Sequence, residues 1–250
     1  MRKNNKIALV TGASQRIGKS IAIGLSNDGW SVAIHYNKSK SDAIKVRDEI
    51  RKNHSSNIYY ADLSKNKDCI NLINEVSSSM GEISCLVNNA SIFERDEIEN
   101  LNSDLWDQHM DINLKSPVFL SQIFAKKLIN SDKGNIINII DQRVLNLTPH
   151  FISYSVSKSG LWSITQILAQ ALAPKIRVNA IGPGPILPSS RQTEEDFKKQ
   201  CEATPLGIGS TPEEIYRTIK YILQAQGMTG QMIALDGGAH LNWKSDNSNE

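Results

Sequence analysis

The feature that most constrains the fold is an alternation, along the whole chain, of short apolar segments with longer amphipathic ones. The short segments are mostly apolar rather than strictly alternating with polar residues, which is typical of strands buried on both faces of a parallel sheet. They are Ile7–Val10, Ser31–Tyr36, Asn57–Ala61, Ile83–Val87, Gly134–Ile140, Arg177–Ile181 and Met232–Leu235. The amphipathic segments have helical lengths and are Arg16–Asp28, Ser41–Asn53, Lys65–Ser79, Ser103–Asn130, Ser153–Ala173 and Pro212–Gln226. This order predicts an α/β fold, a doubly wound parallel sheet of about seven strands with helices on both faces.

Length and composition limit the classes of function. A chain of 250 residues suits one large domain or two small ones, and because strands and helices alternate along all of it, residues 1–250 are predicted to fold as one domain. Its 28 basic and 26 acidic residues give a net charge of +2, which does not support a nucleic-acid or membrane partner. No segment reaches the roughly 20 apolar residues of a membrane helix. A small-molecule substrate is the expected partner.

The cysteines bear on metal binding and location. Cys69, Cys85 and Cys201 are odd in number and widely spaced, which argues against a disulfide framework or a metal site. His109 and His150 also lack the spacing of metal ligands, so no metal is expected. Reduced thiols suit a cytoplasmic location.

A glycine-containing turn, residues 11–18, joins the first predicted strand to the first predicted helix. Gly12 permits a tight turn, Gly18 permits close packing of helix on strand, and the free N–H groups at the helix start suit a pyrophosphate. Arg16 stands where many such loops carry a third glycine, so its guanidinium is expected to contact a phosphate or an adjacent ligand. The alternatives are an ordinary strand-to-helix turn and a solvated arginine. The predicted cofactor contacts are Gly12, Ser14, Arg16, Ile17 and Gly18.

The end of the second strand indicates which dinucleotide is bound. An NAD site usually carries an Asp or Glu about 20 residues after the glycine turn, where it bonds the ribose 2′-hydroxyl. This strand end has no acid, and its lysine and small donors suit a 2′-phosphate, so NADP(H) is predicted, although Lys38 alone would also fit a surface loop. The predicted contacts are His35, Tyr36, Asn37, Lys38 and Ser39. Asp62, after the third strand, either receives the adenine amino group or caps the next helix.

Tyr154 and Lys158 lie four residues apart at the head of a predicted helix and therefore share one face of it. An ammonium beside a phenol favours the phenolate, so Lys158 is expected to lower the Tyr154 pKa from about 10. Such a tyrosine is a usable proton donor or acceptor. The pair alone would also fit an exposed helix turn, because this spacing is common by chance.

With these motifs in this order, the chain resembles the short-chain dehydrogenase/reductase family over nearly its full length. The matching pieces are Thr11-Gly12 to Gly18, Asp62-Leu63, Asn88-Asn89-Ala90-Ser91, Asn113 in Asp111-Ile112-Asn113-Leu114, Tyr154 with Lys158, and Pro183-Gly184. The resemblance implies a single NADP-binding Rossmann domain in which Tyr154 passes the proton, Lys158 holds the nicotinamide ribose and Asn113 positions a water. It adds to the expected cofactor contacts Leu63, Asn89, Ala90, Ser91, Pro183 and Gly184.

Several departures from the family pattern resemble one branch, the pteridine reductases. Asp141 stands thirteen residues before Tyr154, where the family usually has a serine that binds the substrate oxygen. Arg16 and Ser91 replace glycines, and Phe93 follows Ser91 by two residues. In that branch the aromatic ring and the nicotinamide sandwich a pterin. By residue type alone, Phe93 would be a rim or core residue and Asp141 a cap of a helix or loop.

The sequence therefore predicts an NADPH-dependent reductase of a pterin, such as a dihydropterin, dihydromonapterin or dihydrofolate. Tyr154, helped by Asp141, would deliver a proton to the ring nitrogen beside the carbon that accepts hydride, while Arg16 and Phe93 grip the pterin. A reductase of a ketone or 3-oxoacyl carbonyl is one alternative, although a serine suits a developing alkoxide better. A cofactor-binding regulator without turnover is another.

Three further predictions concern loops and surfaces. Residues 182–210, rich in Pro and Gly and then charged, are predicted to form a substrate loop and flap. The family resemblance implies a homotetramer with Leu114–Asn130 and Ser153–Ala173 at one interface. The run Glu94-Arg95-Asp96-Glu97 is predicted to be a solvated loop, and the polar tail Lys244–Glu250 to fray.

Overall fold

A seven-stranded parallel sheet forms the centre of the computed structural model, which describes residues 6–51, 55–129 and 133–241. The strands are β1 (Ile7–Val10), β2 (Ser31–Tyr36), β3 (Ser56–Tyr60), β4 (Cys85–Asn88), β5 (Gly134–Ile139), β6 (Ile176–Pro183) and β7 (Met232–Leu235). Their order across the sheet is β3-β2-β1-β4-β5-β6-β7, and all neighbours are parallel. The direction of winding reverses between β1 and β4, which places a ligand crevice at the carboxyl ends of these strands.

Helices connect the strands and cover both faces of the sheet. They are α1 (Arg16–Asn27), α2 (Lys40–Ile50), α3 (Asn66–Ser79), α4 (Ser103–His109), α5 (Ser116–Lys127), α6 (Ile152–Ala171), α7 (Glu194–Glu202) and α8 (Pro212–Gln224). Successive side chains of a strand point to opposite faces. Ala8 and Val10 accordingly pack in one apolar cluster, whereas Ile7 and Leu9 pack in the other. The predicted α/β fold is confirmed.

The helix predicted over Ser103–Asn130 is interrupted. A π-helical segment, Met110–Lys115, lies between α4 and α5. Pro117 has no N–H to donate to the carbonyl of Asn113, four residues earlier, which accounts for the departure from α-helical bonding. Asn113 therefore lies on a widened turn and is fully buried. The predicted end at Asn130 lies outside the described residues.

Most other elements end within a few residues of their predicted bounds, and α2 and β6 are two examples. The helix predicted as Ser41–Asn53 is α2, which ends at Ile50, and Asn53 lies outside the described residues. β6 continues to Pro183, beyond the predicted end at Ile181, because the added residues still pair with β7. This extension carries the Pro/Gly-rich loop to the edge of the ligand crevice.

The charged segment that follows this loop forms α7. The helix begins with a capping box, in which Thr193 and Asp196 satisfy each other's backbone N–H groups. Phe197 and Gln200 on this helix line the cavity described below. The tail Lys244–Glu250 lies outside the described residues. Within the described ranges, no helix is long and apolar enough to cross a membrane.

Candidate active site

A cavity of about 870 Å³ opens at the carboxyl ends of the strands. It brings together most of the residues predicted to bind cofactor or substrate, which are Gly12, Ser14, Arg16, Ile17, Gly18, His35, Tyr36, Asn37, Lys38, Ser39, Leu63, Asn89, Ala90, Ser91, Phe93, Asp141, Tyr154, Lys158, Pro183 and Gly184. Two predicted residues, Asp62 and Asn113, are not among those that line it.

The glycine turn is held in shape by backbone contacts that leave no room for larger side chains. Gly12 has a φ of +61°, and a Cβ there would lie 3.0 Å from the Ala90 Cα. A Cβ on Gly18 would overlap the carbonyl oxygen of Gly12. The Asn89 amide donates to the Thr11 carbonyl oxygen at 2.9 Å, which ties the turn to the end of β4. The result is a smooth cradle at the start of α1, of the kind that holds a pyrophosphate.

His35 supports this cradle from beneath. The Gly12 N–H donates to His35 Nδ1 at 3.0 Å, so the ring carries its proton on Nε2, 3.1 Å from the Ala61 carbonyl oxygen. The ring is buried, and burial lowers its pKa to about 4. Both nitrogens are engaged by backbone, so His35 has no donor left for a phosphate. This differs from the predicted direct contact: His35 positions the glycine turn instead.

The buried His35 makes the fold sensitive to acid. Its pKa falls from 6.5 to about 4 on folding, so its contribution is complete above pH 6.5 and is lost as the pH falls towards 4. One pKa unit corresponds to about 1.4 kcal/mol, so the loss should reach roughly 3 kcal/mol. We expect the wild-type Tm to fall more steeply across this range than that of His35→Asn, in which an amide oxygen can replace Nδ1. Equal slopes in thermal unfolding would contradict this role, and His150→Gln, at a half-exposed site, serves as the control.

The end of β2 presents cationic and neutral groups to the cavity. Asn37 and Lys38 are exposed, and the Ser39 hydroxyl accepts a hydrogen bond from the Gln15 amide at 3.2 Å. The nearest acid along the chain, Asp42, accepts from Gln15 at 2.6 Å and is not part of the cavity lining. The end of β2 therefore presents the cationic and neutral groups that the sequence predicted for a 2′-phosphate site.

Asp62 is engaged in local bonds before α3. Its carboxylate accepts from the Ser64 hydroxyl at 2.8 Å and from Lys65 at 3.1 Å. The hydrogen bond from Ser64 is the main cause of its lowered pKa. These bonds hold the turn before α3, whose N-cap residue, Lys65, has no side-chain cap, so Asp62 does not cap that helix.

Arg16 connects two loops. Its φ of +51° explains why related turns carry glycine at this place, because a glycine adopts positive φ without steric cost. The guanidinium donates to the carbonyl oxygens of Pro188 and Leu187, at 3.0 and 3.3 Å. The cofactor turn and the loop after β6 are therefore joined by one side chain.

Tyr154 and Asp141 form the polar centre of the cavity. The phenolic hydroxyl donates to Asp141 Oδ2 at 2.8 Å, and Asp141 Oδ1 accepts from the Arg143 N–H at 2.8 Å. Asp141 thus caps the short 3₁₀ turn Gln142–Val144 with one oxygen and holds Tyr154 with the other. The capping interpretation is therefore confirmed, and the catalytic role stays a prediction.

The protonation of Tyr154 differs from the expectation. Burial, followed by the neighbouring Asp141 carboxylate, raises its pKa well above 10. Lys158 does not lower it, because the ammonium donates to the Ile139 carbonyl oxygen at 2.9 Å and lies 5.7 Å from the centre of the Tyr154 ring. Burial lowers the pKa of Lys158 to about 8. The structure therefore holds a neutral phenol beside a carboxyl group.

Asn113 is not free to hold a water through its amide. Oδ1 accepts from the Ser91 hydroxyl and from the Ile92 N–H, at 3.1 and 2.9 Å. Nδ2 donates to the Ile92 carbonyl oxygen and to the Ser157 hydroxyl, both at 3.1 Å. All four hydrogen-bonding positions of the amide are filled. The side chain instead fixes the segment after β4 against α6.

Phe93 forms part of the cavity wall. Its ring stacks on Phe151 with centroids 4.5 Å apart and meets Tyr154 edge-on at 4.7 Å. The guanidinium carbons of Arg143 and Arg191 lie 5.2 and 5.1 Å from its centre, within cation–π range. We call Phe93, Asp141, Tyr154 and these neighbours the substrate end of the cavity.

Comparison with known proteins places the chain in a family. The sequence profile of a family described as short chain dehydrogenase matches residues 6–199. The chain belongs to the short chain dehydrogenase family. A relative in this family, the 3-oxoacyl-acyl-carrier-protein reductase FabG of Staphylococcus epidermidis, is 33% identical over 243 residues, which cover 95% of this chain and 100% of FabG.

Solved structures of the family point to the predicted branch. FolM alternative dihydrofolate reductase 1 from Brucella canis, crystallised with NADP, is 44% identical, has a TM-score of 0.94, and is matched over 98% of this chain and 97% of its own. The angucycline ketoreductase LanV, also crystallised with NADP, is 28% identical with a TM-score of 0.88 over 95% and 96%. The predicted resemblance to this oxidoreductase family is confirmed, and the likeness to FolM is consistent with the pterin-reducing branch.

The family motifs gave no indication of a cluster of buried residues at the start of α6, next to Tyr154. Phe151 has a left-handed conformation, with φ of 60°, and its N–H donates to the Asp96 carbonyl oxygen at 2.8 Å. The Asp96 carboxylate accepts from the N–H and the hydroxyl of Ser153, at the start of α6. A carboxylate there satisfies a free N–H and complements the helix dipole. The prediction of a solvated loop is wrong for Asp96, which is 1% exposed.

His109 completes this buried group. Its Nε2 accepts from the Glu94 N–H at 3.3 Å, and its Nδ1 lies 2.6 Å from the Ser153 hydroxyl. Burial lowers the His109 pKa, which favours the neutral ring. No local pattern marks these residues, because the partners come from three separate segments. Together they position Phe151 and the first turn of the helix that carries Tyr154.

Proposed function

We propose that the protein is an NADPH-dependent reductase of dihydropterins. The observation that carries the proposal is the 2.8 Å hydrogen bond from Tyr154 to Asp141, which puts a carboxyl group where much of the family has a hydroxyl. The likeness to FolM, a protein described as an alternative dihydrofolate reductase, supports the same substrate class.

The cofactor site suits NADPH. Gly12 and Gly18 leave the close approach that a pyrophosphate needs, and a side chain at either place would fill it. Lys38, Asn37 and the Ser39 hydroxyl offer donors to a 2′-phosphate, and the end of β2 has no carboxylate to repel one. Lys158 and the segment from Asn89 would face the nicotinamide ribose. Bound NADPH would supply the hydride.

The chemistry at Tyr154 fits reduction of a carbon–nitrogen double bond. The substrate carbon gains a hydride and the adjacent ring nitrogen gains a proton. A phenol whose pKa is raised by burial and by Asp141 keeps its proton until a basic nitrogen lies within hydrogen-bonding distance. Asp141 accepts the hydrogen bond that holds the hydroxyl in place, and after transfer it would relay to Tyr154 a proton taken up from water.

The walls of the cavity suit a flat heterocycle. Phe93 offers a ring face beside Tyr154, on which a pterin would stack. Arg16 fixes the loop that closes the other side. Residues 182–210 would act as the substrate loop and flap, and their side chains in the cavity are Pro183, Ile186, Leu187, Ser189, Arg191, Gln192, Phe197 and Gln200.

Assembly and location are also part of the proposal. A homotetramer would cover apolar side chains that are exposed on or just after the helices predicted at its interface: Val156, Ile167 and Ile129. The three cysteines are free thiols, which supports a reducing, cytoplasmic setting.

A second candidate is reduction of a 3-oxoacyl or ketone carbonyl. The identity of 33% to FabG over nearly the whole chain favours it. Asp141 argues against carbonyl reduction. A carboxylate would repel a developing alkoxide, whereas a hydroxyl would stabilise the alkoxide.

NADPH oxidation with a panel of acceptors tests the two candidates. We expect acceleration by dihydropterins, little by 3-oxoacyl thioesters, and a strong preference for NADPH over NADH because of Lys38. A hydrogen bond to a charged group contributes about 1.5–3 kcal/mol, so this preference should be roughly 10- to 100-fold. Rapid turnover of the thioester with none of any dihydropterin would refute the proposal.

A further inference from the structure

The lining of the cavity carries more cationic than anionic side chains. Four guanidinium groups line it, those of Arg16, Arg95, Arg143 and Arg191. Among the described residues, Asp141 contributes the one carboxylate of the lining. A substrate with a negative group would therefore be favoured here over a neutral one of the same shape.

Three of the four guanidinium groups already have partners. Arg16 donates to two carbonyl oxygens of the loop after β6. Arg95 pairs with Glu97 at 2.5 Å, and Arg191 pairs with Glu94 at 2.6 Å. Glu97 and Glu94 offset the charges of Arg95 and Arg191, and the two carbonyl oxygens hold the Arg16 guanidinium in place.

Arg143 is different. In the part of the chain that the structure describes, its guanidinium has no carboxylate or carbonyl partner. Its hydrogen bonds are made by the backbone: its N–H donates to Asp141, and its carbonyl oxygen accepts from the Asn146 N–H. The guanidinium carbon lies 4.9 Å from the centre of the Phe151 ring and 5.2 Å from that of Phe93. This half-buried side chain lines the cavity, so an incoming anion would find its guanidinium donors accessible and would form charge-assisted hydrogen bonds with them without breaking an existing ion pair.

The surroundings of Arg143 limit what that anion can be. Phe93 meets Tyr154 edge-on, and Phe151, which stacks on Phe93, has its ring centre 4.9 Å from the Arg143 guanidinium carbon. An aromatic wall that leads from the reacting end to a cation suits a substrate with an aryl group and a carboxylate beyond it. A phosphate of the cofactor would lie elsewhere, at the glycine turn after β1.

We propose that Arg143 binds a carboxylate on the substituent of the dihydropterin, and that the enzyme prefers dihydropterins with an acidic aryl tail over neutral ones. This inference rests on the proposed function, because it names which members of the proposed substrate class are favoured. It also gives a role to the Gln142-Arg143 pair that follows Asp141. Arg143 would determine specificity, whereas proton transfer would remain with Tyr154.

Kinetics with two probes test the inference. Dihydrofolate carries the acidic aryl tail, and dihydrobiopterin is neutral. The variants are Arg143→Gln, Arg143→Lys, which retains the charge, and Arg217→Gln, which makes the same charge change at an exposed site on α8. Loss of one charge-assisted hydrogen bond should raise KM for dihydrofolate roughly 10-fold. KM for dihydrobiopterin, which has no carboxylate, should rise less than KM for dihydrofolate. Arg217→Gln should change KM for either substrate by less than about twofold, the background expected of a surface substitution.

The dependence on ionic strength and the Arg143→Lys variant distinguish an electrostatic effect of Arg143 on KM from an effect on packing. The wild-type KM for dihydrofolate should rise with ionic strength, because salt screens the attraction between Arg143 and the carboxylate. The KM of Arg143→Gln should not rise, because this variant lacks the charge. Arg143→Lys should recover part of the affinity. Equal changes of KM for both substrates, or no change for either, would overturn the inference.

Failure of the inference is distinguishable from failure of the proposed function. If the wild-type enzyme reduces dihydrobiopterin but not dihydrofolate, the role of Arg143 is refuted and the proposed function stands. If neither dihydropterin accelerates NADPH oxidation, the proposed function fails and the inference fails with it. If Arg143→Gln does not fold, the salt dependence of the wild type and the kinetics of Arg143→Lys still decide.

Discussion

A Tyr154→Phe variant is expected to lose roughly 10²- to 10⁴-fold in kcat for any dihydropterin, the range that a positioned general acid contributes. Phenylalanine keeps the ring that packs against Phe93 and removes only the hydroxyl that donates to Asp141. The proton required by the ring nitrogen would then have to come from water. NADPH oxidation under saturating substrate measures the loss.

Cofactor binding provides the control for this variant. The Tyr154 hydroxyl does not contact the glycine turn or Lys38, so the Kd for NADPH, measured by fluorescence titration, should stay within about twofold of wild type. A variant that keeps most of its kcat would show that Tyr154 does not deliver the proton. A kcat loss accompanied by an equal loss of NADPH affinity would point to a damaged site rather than a missing acid.

An Asp141→Ser variant is expected to lose activity towards dihydropterins and to gain activity towards ketones. Turnover of dihydropterins should fall roughly 10- to 100-fold, since a charge-assisted hydrogen bond contributes about 1.5–3 kcal/mol. Reduction of a simple ketone should improve, because a hydroxyl donates to a developing alkoxide whereas a carboxylate repels it. Serine is also a good capping residue, so the bond to the Arg143 N–H at the 3₁₀ turn can be retained.

The pH profile of this variant gives an independent readout. Asp141 contributes to the raised pKa of Tyr154, second only to burial. Removal of its negative charge should move the alkaline limb of the kcat profile to lower pH. Asp141→Asn, which keeps the shape and removes the charge, should shift the limb in the same direction. Unchanged dihydropterin turnover with unchanged pH dependence in both variants would refute the role of Asp141.

The local features of this protein were predictable because each depends on a short stretch of sequence. The strand Ile7–Val10, the turn from Gly12 to Gly18 and the pair Tyr154 and Lys158 each depend on neighbours within one turn or strand. The structure places them around one cavity because the carboxyl ends of parallel strands meet at one edge of the sheet.

The features that escaped prediction depend on distant partners. His35 was expected to face a phosphate, yet its ring bonds with Gly12 and Ala61, 23 and 26 residues away. Asp96 bonds with Ser153, which lies 57 residues further along the chain. The direction of the Tyr154 pKa shift also depends on burial, which no local pattern reports. Contacts of this kind are known only once the chain is folded.

The bridge made by Arg16 implies that the two binding events are energetically coupled. Its backbone belongs to the turn that would hold the pyrophosphate, and its guanidinium is bonded to carbonyl oxygens of the loop that would cover the substrate. A ligand that binds the Arg16 guanidinium would weaken the hydrogen bonds between this side chain and the loop. A substrate that stabilises the loop would strengthen those hydrogen bonds. Linkage requires these two effects to be equal in free energy. Cofactor and substrate would therefore set each other's affinity, with one arginine as the connection.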